Sequence, residues 1–65
     1  MAETEVERVR RQIATSERLV DAQRGKVFQM TIQGRDTREA QLLIDNLLAI
    51  LDQERLALQR ILGSG

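Results

Sequence analysis

The sequence predicts an all-α, antiparallel helical hairpin that dimerises into a four-helix bundle. Two long stretches rich in Leu, Ala, Glu, Gln and Arg place apolar side chains in alternating steps of three and four. One glycine-centred reversal separates them. The second stretch is too apolar for a single neighbour to cover.

The first helix is expected over about residues 5 to 33. Thr4 followed by Glu7 is a capping-box pattern, and Glu3, Glu5 and Glu7 suit the positive end of a helix dipole. Val6, Val9, Ile13, Val20, Val27 and Met30 then form one heptad seam, with Ser16 and Gln23 as its two polar members. Glu7 and Arg11 are spaced for an i,i+4 ion pair. Gly25 lies inside the helix at a cost of about 1 kcal/mol relative to Ala. The β-formers of the Val27-Phe28-Gln29-Met30-Thr31-Ile32 run make a strand the alternative there, but no other segment offers it a partner.

Gly34 is expected to stop this helix in the left-handed conformation. Asp36 is then expected to cap the next helix, with Glu39 completing a second capping box. A reversal this short sets the helices side by side and antiparallel.

The second helix is expected over about residues 37 to 62, with residues 63 to 65 as a flexible tail to a single domain. Ala40, Leu43, Leu47, Ile50, Ala57 and Ile61 form its seam, with Glu54 at the one polar position. Ile44, Leu51 and Leu58 widen the seam on one side, and Leu48 and Leu62 on the other. From Ala40 to Leu62, 14 of 23 residues are apolar, against 11 of 29 from Glu5 to Gln33. The first helix therefore needs one neighbour and the second needs two. Leu43, Ile44, Leu47, Ile50, Leu51, Leu58 and Ile61 are the expected oligomer core. If the turn centres near Arg35, Val27 meets Leu43, Val20 meets Ile50, Val9 meets Ile61, and Ser16 faces Glu54. That polar pair is a candidate hydrogen bond fixing register.

Sixty-five residues bury only about 60% of the surface the unfolded chain exposes, so a core this small needs support. Disulfides are excluded because there is no Cys. With no His either, neither a zinc site nor the Glu-x-x-His di-metal site of helical bundles is expected. Unusually good helix packing or association is the route left.

Catalysis and cofactor binding are not expected. His, Cys and Tyr are absent, there is no glycine-rich loop, and Ser16 and the threonines have no base in view. Ten basic residues balance ten acidic ones, which gives no net pull toward nucleic acid or anionic membrane. Arg8, Arg11 and Arg18 are the candidate nucleic-acid contact, although Glu5, Glu7, Glu17 and Asp21 are interleaved and no aromatic residue is at hand to stack bases. Phe28, Ile32, Leu42 and Leu56 fall off both seams. The N-terminus is acidic where a signal peptide is basic, and the most apolar run, residues 40 to 51, is too short to cross a bilayer. The chain reads as soluble and cytoplasmic.

The stretch Gln23-x3-Val27-x2-Met30-x3-Gly34-x-Asp36-Thr37-x2-Ala40-x2-Leu43 resembles a pattern in short, uncharacterised bacterial helical-hairpin proteins, over roughly residues 13 to 62. That resemblance implies a fold and no activity. The architecture is also similar to dimeric hairpins of the repressor-of-primer type, without a shared motif. The expected role is a homo-oligomeric interaction or scaffold module. The alternatives are a dimeric nucleic-acid-binding regulator using the Arg stripe, and a subunit docking its second helix on another protein.

Overall fold

The computed structural model describes residues 2–63. It contains two helices, α1 (Glu5–Ile32) and α2 (Arg38–Gly63), and no strand among the described residues. The chain is an all-α helical hairpin. Gly63 closes α2 instead of opening a tail, and Ser64 and Gly65 lie outside the described residues.

α1 starts as its sequence predicts: the Glu7 N–H donates to Thr4 Oγ1 at 3.1 Å. It then runs without a break through Gly25 and the β-forming run, so the strand alternative fails there. Thr31 adapts to the helix by donating its hydroxyl back to the Val27 carbonyl, four residues earlier, at 2.8 Å. The helix ends in a Schellman motif. Gly34 takes φ +71°, its N–H donates to the Thr31 carbonyl at 3.0 Å, and the Arg35 N–H donates to the Met30 carbonyl at 2.8 Å. Glycine at that position avoids the cost of about 1–2 kcal/mol that a Cβ meets in the left-handed region.

The entry to α2 corrects the expected capping box. Thr37, not Asp36, is the residue whose carbonyl takes the first helical bond, from the Gln41 N–H at 2.9 Å. Thr37 Oγ1 also accepts from Gln41 Nε2 at 3.0 Å. Asp36 therefore sits one step outside the helix and makes an Asx turn, its Oδ1 accepting the Arg38 N–H at 3.0 Å. The Arg38 guanidinium donates to both carboxylate oxygens, at 2.7 to 3.1 Å. This side-chain bonding, followed by the backbone bond, holds the Asp36 carboxyl below its ordinary range.

The hairpin is a slab of 50 × 22 × 12 Å. Twelve ångströms is the thickness of a single helix with its side chains, so the molecule is one layer with two open faces. Its radius of gyration is 15.2 Å, where a compact domain of this length has about 10.7 Å. Among the described residues the buried apolar ones are Val9, Val20, Ala40 and Leu51, and no side chain is fully enclosed. Such a core is thin.

Candidate interaction face

Helical spacing sorts the apolar residues of α2 into rows seven apart. Ala40, Leu47, Glu54 and Ile61 form a central row. Ile44, Leu51 and Leu58 flank it on one side, and Leu43, Ile50 and Ala57 on the other. The structure treats the two flanks differently. Leu51 is only 3% exposed, with Ile44 and Leu58 half-buried. Leu43 is 43% exposed and Ile50 is 51% exposed.

This corrects the predicted contacts between the helices. The seam of α2 that packs on α1 is Ala40, Ile44, Leu47, Leu51, Glu54, Leu58 and Ile61. Leu51 takes the place expected for Ile50 at the level of Val20, and both are 3% exposed. Ile44 takes the place expected for Leu43, lining a groove with Val27. Leu43 and Ile50 stand beside the seam, half open to solvent. Of the seven expected oligomer-core residues, five therefore serve the hairpin itself and two remain largely uncovered.

The expected level of the two helices is correct. Ser16, 7% exposed, donates its hydroxyl to Glu54 Oε1 at 2.6 Å. That is the length of a bond to a charged acceptor. One step outward the Arg55 guanidinium reaches Glu17 at 3.4 Å, an ion pair across the hairpin that the sequence reading missed. The two cross-links lie at nearly one level because Glu17 and Arg55 are the chain neighbours of Ser16 and Glu54.

On the Leu43 side, Met30, Lys26 and Arg35 from the first half of the hairpin meet Leu43 and Glu39 from the second around a shallow groove. Leu19, seven residues before Lys26, continues the same row of α1 and is exposed. The broad face here is thus an apolar strip of Met30, Leu43, Leu19, Ile50 and Ala57, edged by Glu39, Lys26 and Arg60.

Other candidates stay apart from it. Phe28, Ile32, Leu42, Leu56 and Leu62 are exposed and scattered. Arg8, Arg11 and Arg18 are exposed on the outer surface of α1. Arg11 is held by Glu3 at 2.9 Å, not by Glu7 as the i,i+4 spacing suggests, because the long guanidinium side chain reaches back two turns. The stripe therefore loses one of its three free charges. Among the described residues no helix is long and apolar enough to cross a membrane, and no three His, Cys, Asp or Glu cluster as metal ligands.

The geometry defines a class of object: a two-helix hairpin whose second helix carries two adjacent apolar seams and covers only one. No family model, curated protein or solved structure matches the chain.

Proposed function

We propose that the chain is a non-enzymatic, self-associating interaction module, and that a second copy covers the Leu43, Ile50 and Ala57 row to complete a four-helix bundle. The observation that carries this reading is the exposed surface. A folded chain of 7.4 kDa exposes about 4,200 Å², whereas this one exposes 5226 Å². The excess is about 1,000 Å², close to the roughly 800 Å² that each partner buries in a standard interface. Stacking a second slab on the open face would also double the single-helix thickness and give the half-covered leucines a second set of neighbours.

Sedimentation equilibrium over a hundredfold concentration range, with helicity recorded at each point, tests the proposal. A helical dimer is expected for the natural chain. Ile50→Asp is expected to be a helical monomer, because residue 50 is half solvated within one hairpin but would be enclosed in the bundle. A dimer indifferent to Ile50→Asp would mean that another face is used. A poorly helical monomer would mean that the open row awaits a different protein.

A further inference from the structure

The order of residues along the open face indicates how two copies meet. Beside the Leu43, Ile50 and Ala57 row runs a polar row, again seven residues apart: Glu39, Asn46, Gln53 and Arg60. It is acidic at the turn end, basic at the far end, and amide in between. On the α1 side, Arg35 stands at the turn end and Glu5 at the far end. Each edge therefore reverses sign along the length of the slab.

We propose, resting on the self-association above, that the partner is a second copy related by a two-fold axis across the helices, so that the two turns lie at opposite ends. Placing Ile50 on that axis makes α2 antiparallel to its mate. Leu43 then meets Ala57 of the second copy, Asn46 meets Gln53, and Glu39 meets Arg60, all within one residue of register, or about 1.5 Å. The Ser16–Glu54 bond fixes the level of α1 against α2, which puts Leu19 at the level of Ile50. Leu19 therefore also reaches the axis and meets its own copy, and Arg35 reaches the level of Glu5. Apolar meets apolar along the middle, and opposite charges meet at both ends.

The other two-fold arrangement, with both turns at one end, leaves every residue at the level of its own copy. It lays α2 over α1 of the second copy, so Glu39 comes to the turn end beside Arg35 and the end charges suit this arrangement too. The apolar row separates the two: level with Leu43 is then Lys26, and level with Ala57 is Gln12, each within one residue. Opposed turns set Leu43 against Ala57 instead, and keeping the apolar row clear of a cation selects that arrangement.

The chain has no cysteine, so single cysteines report the geometry directly. With opposed turns, Ile50→Cys should form a disulfide-linked dimer under mild oxidation. Leu43→Cys should not link to itself, since the two copies stand 14 residues or about 21 Å apart along the bundle, but it should link to Ala57→Cys chains mixed with it. Glu39→Arg should weaken the dimer roughly tenfold, and adding Arg60→Glu in the same chain should restore it. A stable dimer in which neither Ile50→Cys nor the Leu43→Cys and Ala57→Cys mixture cross-links overturns the opposed-turn arrangement and leaves self-association standing. A natural chain that stays monomeric throughout overturns both.

Discussion

The Ser16–Glu54 bond can be weighed by a double-mutant cycle of Ser16→Ala, Glu54→Ala and the pair together. A hydrogen bond to a charged acceptor contributes about 1.5–3 kcal/mol net. Glu54 is only half-buried, so water recovers part of the carboxylate when Ser16 is removed, and the lower end applies. Ser→Ala inside a helix returns about 0.5 kcal/mol through propensity. The expected loss for Ser16→Ala is therefore about 1 kcal/mol, or about 5 °C in the melting temperature of a domain this size. Propensity cancels in the cycle, so the coupling energy should be larger than that loss, near 1.5 kcal/mol.

The assay is urea unfolding followed by circular dichroism at 222 nm, because a chain without Trp or Tyr has little other signal. All four proteins must be compared at one concentration, since association shifts apparent stability. A coupling below about 0.3 kcal/mol would refute the reasoning: the seam would be solvated at that level and the 2.6 Å contact would carry nothing. The converse substitution sharpens the test. Ser16→Val with Glu54→Leu completes both seams with apolar residues and should raise stability above that of the natural chain, as replacing paired polar groups in cores often does.

Three further outcomes follow from the fold. Gly25→Ala should stabilise by about 1 kcal/mol, because Gly25 is helical and an added Cβ meets nothing within 4 Å; Gly34→Ala should destabilise by about 1–2 kcal/mol because its φ is +71°. Urea midpoints distinguish the two glycines. Leu51→Ala should cost about 2–4 kcal/mol, enough to unfold most of a hairpin with so thin a core, whereas Leu42→Ala, on the exposed surface, should stay within about 0.5 kcal/mol. Asp36 has a folded-state pKa below its ordinary 3.8, so its contribution is complete above that value and is lost as the pH falls through the depressed one. Asp36→Asn, which can still accept the Arg38 N–H, should flatten the acid limb of a stability curve measured below pH 4.

The turn was legible in the sequence because two independent requirements fall next to each other there. Gly34 ends one helix by its free backbone, and a short polar side chain opens the next. The cap itself was misread by one residue. Asp36 and Thr37 are both good capping residues, and which one receives the first helical bond depends on the bidentate grip of Arg38 on Asp36. The opposition of Ser16 and Glu54 was legible because each interrupts a heptad and the turn fixes their level. The packing phase of α2 was not. Its apolar residues occupy both flanks of the central row, so periodicity alone supports either Leu43 and Ile50 or Ile44 and Leu51 as the inward pair. Only the position of α1 beside it breaks that tie. The β-forming run near residue 30 misleads for a similar reason: its local preference is weak against the continuation of a 28-residue helix that packs along one side of α2.

The separation of the two flanks has a consequence for how such a chain can change over generations. Ile44, Leu51 and Leu58 are committed to holding the hairpin shut, and substitutions there are filtered by folding. Leu43 and Ile50 lie outside that filter, and their side chains can be exchanged while the hairpin keeps its shape. Ala40, Leu47, Glu54 and Ile61 touch both regions and tie them together at four points. If the proposed self-association holds, the choice of partner can drift along one row, at the speed of surface residues, on a scaffold that stays the same.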